Sequence, residues 1–313
     1  MKGTVHYETR GNIALLSIDN PPVNPLSSGV RQGLFDGVTS ALADDAIEAI
    51  VLTGLHRAFI AGADISEFGA AATEGVSLGE ALNKMEGSTK PIIAAINGTA
   101  FGGGLEVALC CDYRIAAPTA PVGLPEVKLG LLPGAGGTQR LPRLIGAEEA
   151  VQAIVSGNPI MAPDALTMGI VDRVASGDIV EDAIAYAQEI IGAGGATRKI
   201  RDLEDKILAD RGNTALFEKF AANLDKTHRG QFAPAQILQC IEAAVNAESF
   251  DEGMAVERAR FAECMSDPQR EALIHIFFAE RAANKIPGLP KDVPLLDIKK
   301  GSVIGAGTMG GGI

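Results

Sequence analysis

The chain has 313 residues, 47% hydrophobic and 21% charged, the proportions of a folded globular protein and not of a disordered one. Its 27 Lys and Arg against 39 Asp and Glu leave a net charge of −12, which argues against nucleic acid or an anionic membrane surface as a partner. Glycine is in excess, 37 residues or about 12% against a usual share of roughly 7%, and with no three-residue period collagen is excluded.

In chain order, 13–19 reads as a strand and 20–25, with three prolines, as a rigid loop. Residues 26–43 follow with a helical stripe of Val30, Leu34, Val38 and Leu42. Short apolar strands are expected at 49–53, 91–96, 113–116 and 171–174. Helices are expected from the glycines after 97 to Cys111, and at 137–145, 147–156, 163–168 and 179–191. This alternation predicts an α/β core. Beyond Arg198 the pattern is helical only. Ser249-Phe250-Asp251-Glu252 has the form of a capping box, and Ser266-Asp267-Pro268-Gln269 repeats it. The last helix, to about 285, carries Phe277 and Phe278, which predict a docked face.

The first twenty residues lack a secretory apolar core, and the weakly charged stretch 91–111 holds Glu106 and four glycines, so it reads as buried core and no membrane insertion is expected. Cys110, Cys111, Cys240 and Cys264 show no metal-ligand spacing. They predict reduced thiols, no metal, and a cytoplasmic location; a peroxisomal address at a C-terminus beyond Ile313 remains compatible.

The glycines gather in four places. Ala61-Gly62-Ala63-Asp64 follows a strand-like run, so that a backbone N–H can face a ligand and Asp64 can cap a helix from Ile65; an ordinary strand-to-helix turn reads alike. Asn97-Gly98-Thr99-Ala100-Phe101-Gly102-Gly103-Gly104-Leu105-Glu106 puts three glycines at the positive end of a helix. One donor from each cluster makes an oxyanion hole. Glu106 lies in the first turn of that helix amid apolar neighbours, where a carboxylate is costly unless hydrogen-bonded or functional; a dipole-stabilised structural carboxylate is the plainer reading. Glu126 stands in a similarly apolar third cluster that runs to Gly134-Ala135-Gly136-Gly137 and Arg140. Two carboxylates beside one oxyanion hole suit the addition of water next to a polarised carbonyl, one activating water and one handling the α-carbon proton.

The fourth cluster is Gly305-x-Gly307-x-x-Gly310 after a strand-like 302–304, the opening of a dinucleotide-binding unit. The rest of that unit, with its ribose-binding acid, does not follow, so NAD is expected only in a longer protein.

The Ala61–Ile65 run, Asn97-Gly98-x-Ala100-x-Gly102-Gly103-Gly104-x-Glu106, Pro125-Glu126 and Leu132-Pro133-Gly134-Ala135-Gly136-Gly137-Thr138-Gln139-Arg140-Leu141 together resemble the crotonase, or enoyl-CoA hydratase/isomerase, superfamily over roughly residues 5–191. The tail resembles the start of a 3-hydroxyacyl-CoA dehydrogenase domain, the order found in bifunctional and multifunctional β-oxidation enzymes. The resemblance implies a spiral of ββα turns over 1–191, a helical region over 192–247, a helical linker over 248–297 and, at 298–313, the first strand of a truncated Rossmann domain. It implies Ala63 and Gly103 as the oxyanion-hole donors, and Glu106 and Glu126 as the catalytic pair, at C3 and C2 respectively. Gly134 would position the water, and Val23, Leu26, Ala61, Asp64 and Ile65 would line the CoA path, with Arg57 a candidate for its phosphates. The substrate would be an enoyl-CoA thioester, hydrated without a cofactor; the presence of both glutamates favours hydration as the dominant activity, with isomerisation through Glu126 beside it as in multifunctional members, and a dehydrogenase domain would follow in cis. Competing readings are an isomerase-dominant enzyme, a non-catalytic acyl-CoA-binding module and, against the incomplete nucleotide unit, a dehydrogenase.

Overall fold

The computed structural model describes residues 2–64, 75–283, 288, 293–294 and 296–312. Its elements in order are β1 (Thr4–Arg10), β2 (Ile13–Asp19), α1 (Ser28–Ala43), β3 (Ala49–Gly54), β4 (Ala58–Ile60), α2 (Leu78–Glu86), β5 (Ile92–Ile96), β6 (Thr99–Phe101), α3 (Gly103–Cys110), β7 (Tyr113–Ala116), β8 (Pro121–Gly123) and a one-turn helix, Glu126–Leu129. These are four successive ββα turns. There follow α4 (Gly137–Ile145), α5 (Ala147–Ser156), β9 (Ile160–Met161), α6 (Ala162–Met168), β10 (Arg173–Val174), α7 (Ile179–Gly192), α8 (Asp205–Leu208), α9 (Thr214–Thr227), α10 (Ala233–Asn246), α11 (Phe250–Ser266) and α12 (Pro268–Ala283).

The strands form two sheets. The larger runs β1-β2-β3-β5-β7-β10 and the smaller β4-β6-β8-β9. Pairing is parallel except for β1 with β2 and β8 with β9. Central strands β3 and β5 are buried at every position, as parallel strands covered on both faces must be. Their side chains alternate between two cores. Ile50 and Leu52 point into the main one, while Ala49 and Val51 meet Ala183, Tyr186, Ala187 and Ile190 of α7.

The expected strands and helices are present, with end shifts of one or two residues in most. Three strands carried no legible signal. β1 is an edge strand, its sequence TVHYETR mostly exposed and its apolar alternation limited to Val5 and Tyr7. β6 and β9, at three and two residues, are shorter than any periodicity. The capping details also differ. Ser249 Oγ accepts from Glu252 N as expected, but Glu252 returns its bond to Glu248 N. At α12 the acceptor for Gln269 N is Asp267 Oδ1, while Ser266 Oγ donates back to Ala262 O.

The chain divides into two units, Met1–Ile274 and His275–Ile313. In the first, α10 packs on α4, α5 and α11, and α11 also packs on α4. In the second, Phe277 and Phe278 meet edge to face, with Arg281 over the Phe277 ring. Among the described residues of α12 no side chain is buried, and the Phe277 and Phe278 rings shield part of each other. The strand expected at 302–304 is likewise absent among the described residues. An extended run becomes a strand by pairing, and this one has no described partner.

Candidate active site

The site is set by the smaller sheet. β4, β6 and β8 run parallel, Ala58 and Ile60 pairing with Thr99 and Ala100, and Ala100 and Phe101 with Val122 and Gly123. Their C-terminal ends lead directly into Ala61–Asp64, Gly102–Glu106 and Pro125–Glu126, so three motifs distant in sequence emerge side by side. Backbone crowding there requires glycine. Gly102 has φ +54, and a Cβ on it would lie 2.9 Å from Glu126 Oε1. A Cβ on Gly104 would lie 2.1 Å from the Ile60 carbonyl, so only glycine lets α3 start this close to β4.

Gly103 opens α3, where first-turn N–H groups have no partner within the helix. A Cβ on Gly103 would stand 3.8 Å from Ala63 N, so the two expected oxyanion-hole backbones are neighbours. Ala63 is aligned by a parallel bridge to Leu26, with Leu26 N donating to Gly62 O at 2.9 Å and Ala61 N to Val23 O at 3.0 Å. Val23, Leu26, Ala61 and Asp64 therefore share one rim; Ile65 lies outside the described residues. Buried Asn24 fastens this rim to β4. Its Nδ2 donates to the Leu55 and Ala58 carbonyls, each at 2.8 Å, and its Oδ1 accepts from Asn20 N. Arg57 is exposed on the β3–β4 turn.

Glu106 is buried, and its Oε1 accepts from Ala135 N at 2.7 Å and Gly137 N at 2.8 Å. Burial raises its carboxyl, and those two donors with the Arg140 charge counter the rise. Glu126 differs. Its Oε2 is enclosed with no hydrogen-bond partner, and burial, then the charge of Glu106, drives its carboxyl well above the ordinary range. Both carboxyls are pushed up, Glu126 the further because no hydrogen bond reaches its enclosed oxygen, and two acids in such unequal surroundings are what acid–base chemistry needs. Gly134 lies against the Phe261 ring, a Cβ there meeting Phe261 Cδ2 at 2.6 Å.

Sequence reading missed one participant. Glu257 of α11 is fully buried, its Oε1 accepting from Gly136 N at 2.7 Å and its Oε2 from Thr138 N at 3.1 Å. Its signal is present in hindsight: the buried positions of α11 are Phe250, Gly253, Glu257 and Cys264, a helical stripe carrying one carboxylate. Beneath the loop, Arg140 pairs with Glu86 and also donates to the Ala135 carbonyl.

Two other places are apart from this chemistry. A cavity of about 370 Å³ between α9 and α10 is lined by Phe217 and Leu238 but also by Glu218, Asp225 and Glu242, a poor match for an anionic CoA group. In the tail, Gly305 has φ +105 and a Cβ on Gly310 would strike the Gly305 carbonyl, so the loop turns tightly. With neither strand before it nor helix after it among the described residues, the Gly305-Gly307-Gly310 loop does not form a dinucleotide site by itself. Among the described residues no group of His, Cys, Asp and Glu is arranged to hold a metal, and no helix is long and apolar enough to cross a membrane.

Similarity to known proteins agrees with this geometry. The enoyl-CoA hydratase/isomerase family matches residues 8–236. The human peroxisomal bifunctional enzyme is 40% identical over 305 residues, covering 96% of this chain and 42% of that protein. A glyoxysomal fatty acid beta-oxidation multifunctional protein of Cucumis sativus is 35% identical over 312 residues, covering 96% of this chain and 43% of its own length. The chain thus spans under half the length of these relatives. Among solved structures, carnitinyl-CoA hydratase from Mycobacterium avium superposes with a TM-score of 0.63 at 28% identity, covering 90% of this chain and 97% of that one. The four ββα turns and two sheets are the crotonase fold, and the chain belongs to the enoyl-CoA hydratase/isomerase family.

Proposed function

We propose that this chain hydrates trans-2-enoyl-CoA thioesters to 3-hydroxyacyl-CoA, adding water syn across the double bond. The observation that carries the proposal is the contrast between Glu106, held by two backbone donors, and Glu126, with a bare enclosed oxygen. In this reading the Ala63 and Gly103 N–H groups bind the thioester oxygen and stabilise the enolate-like charge that develops there. Ionised Glu106 takes a proton from water as its oxygen bonds to C3, with the Gly134 backbone helping to place the water. Protonated Glu126 delivers a proton to C2. Val23, Leu26, Ala61 and Asp64 line the path of the CoA portion.

No cofactor takes part in this step. A secondary 3-enoyl to 2-enoyl isomerisation follows from the same bare oxygen, since ionised Glu126 can remove a proton at C2 and return it at C4. Relatives named as bifunctional and as fatty acid beta-oxidation multifunctional proteins support a place in fatty-acid β-oxidation, and the Gly305-x-Gly307-x-x-Gly310 run supports a dehydrogenase portion in the longer protein. Four buried free cysteines fit a compartment that keeps thiols reduced, the cytoplasm or a peroxisomal matrix.

The test is loss of the conjugated enoyl-thioester absorbance when crotonyl-CoA is added. Glu106→Gln and Glu126→Gln are each expected to cut the rate by at least ~10²-fold. Near wild-type hydration by either variant refutes the two-carboxylate assignment. Tight CoA-ester binding without turnover by the wild type favours a non-catalytic module.

A further inference from the structure

Glu86, Asp112 and Glu257 are buried acids to which the proposed chemistry gives no part. The first two face cations, Glu86 pairing with Arg140 and Arg201, and Asp112 with Lys199. Glu257 makes no ion pair among the described residues. It is held by the Gly136 and Thr138 N–H groups and the Thr138 hydroxyl. Burying a carboxylate this way is costly, so its placement needs a reason.

The reason lies in how donors are shared. From Ala135 to Thr138, four successive N–H groups alternate between two acids: Ala135 to Glu106, Gly136 to Glu257, Gly137 to Glu106, Thr138 to Glu257. The loop is straddled, and neither acid's donors can move without moving the other's. Glu257 comes from α11, beyond residue 236 where the family match ends.

We infer that Glu257 is a positioning residue for Glu106: by holding the Gly136 and Thr138 N–H groups it aims those of Ala135 and Gly137 at the Glu106 carboxylate, and its charge state sets how readily the site accepts further negative charge. The inference rests on the hydration reading above. Groups facing Glu257 are Glu106 on α3, Glu126, Arg140 on α4 and Cys240 on α10. Burial and the negative charge of Glu106 push its carboxyl up to about 8, with the Thr138 hydroxyl, the Gly136 N–H and the Arg140 charge opposing the rise. Below that pH Glu257 is neutral. Above it, a second anion sits beside the catalytic pair and opposes charge developing on the thioester oxygen.

The experiment is crotonyl-CoA hydration by the 313-residue chain and its variants, followed from neutral to alkaline pH. Wild-type kcat is expected to fall as pH rises through about 8. Both oxygens of Glu257 keep lone pairs for the Gly136 and Thr138 N–H groups whether or not one holds a proton, whereas Glu257→Gln sets an amide NH2 that cannot accept against one of them, so the loop loses one of its four bonds. It should lower neutral-pH kcat by at least ~10-fold, leave KM within about threefold and leave only the alkaline fall that loss of the Glu126 proton causes. Thr138→Val keeps shape and backbone but removes the hydroxyl that favours the ionised form, so the fall should move to higher pH. Either effect of Glu257→Gln without the other, or an unmoved profile in Thr138→Val, overturns the inference. If Glu257→Gln does not fold, as judged by circular dichroism, Thr138→Val decides alone. Glu106→Gln separates the two ideas: if it is active, the catalytic reading fails; if it is inactive while Glu257→Gln behaves as wild type, this inference alone fails.

Discussion

Arg140 grips Glu86 with two parallel hydrogen bonds, Nε to Oε1 at 2.9 Å and Nη2 to Oε2 at 3.0 Å, and both residues are buried. The same guanidinium donates through Nη1 at 2.9 Å to the carbonyl of Ala135, the residue whose own N–H serves Glu106 together with that of Gly137. A structural ion pair between α2 and α4 thus also steadies the loop on which the site depends. Arg201 adds a third member through Glu86 Oε2.

Removing the acid leaves Arg140 buried without its counter-charge. Glu86→Gln is expected to destabilise the fold by about 3–5 kcal/mol, the usual cost of breaking a buried pair from one side. Urea unfolding followed by circular dichroism measures this. An unchanged midpoint would show that Arg201 and the Ala135 carbonyl suffice to hold Arg140.

Glu126 trades stability for reactivity. Its folded carboxyl titrates well above the ordinary value because of burial and the charge of Glu106. The native state therefore binds more protons than the unfolded state once pH exceeds the unfolded value, and stability from this group falls as pH rises through that window. Glu126→Gln removes the penalty. The variant should melt at a higher temperature than wild type at pH 7, by a margin that shrinks towards pH 4.5, while losing hydration.

Gly102 tests the crowding at the strand ends. Alanine there meets both the φ of +54 and Glu126 Oε1 at 2.9 Å. Gly102→Ala is expected to cost about 1–3 kcal/mol in stability through strain and to impair hydration more than CoA-ester binding. Equilibrium unfolding together with separate kcat and KM values checks both parts.

Asn24 joins the 20–25 loop to β4 and the turn before it through the Ala58 and Leu55 carbonyls, and braces the loop itself by accepting from Asn20 N. Truncation to alanine leaves these groups without partners at about 1–3 kcal/mol for each that stays buried. Because Asn24 holds the rim formed with Ala61 and Ala63, KM for crotonyl-CoA should rise more than kcat falls. Steady-state kinetics on a folded Asn24→Ala sample decides it.

The four thiols should be chemically silent. All are buried, and burial pushes those of Cys110 and Cys264 up to about 12. An aromatic disulfide reagent at mildly alkaline pH is expected to titrate none in the native chain and all four after denaturation. Rapid labelling of the native protein would mean that α3, α10 or α11 opens locally.

Much of this was legible in one dimension. Alternating apolar runs located most strands, and the helical stripes located α1, α4, α5 and α7, because those signals are local. Glycine runs marked where backbone meets backbone, and Glu106 and Glu126 stood out as acids in apolar surroundings. Other features were not local. β6 is three residues long and is a strand only because β4 and β8 flank it, yet it is the strand that sets Gly102–Glu106 beside Ala61–Asp64 and Glu126. The partners of Glu106 lie 29 and 31 residues along the chain, and those of Glu257 lie 121 and 119 residues back. The sequence by itself determined where acids and glycine runs stand in apolar surroundings and that the core alternates strand with helix, since side-chain type and period are written in order along the chain. Tertiary structure alone decided how far each acid's carboxyl is pushed up, because that depends on how deeply each is buried and which distant N–H groups reach it.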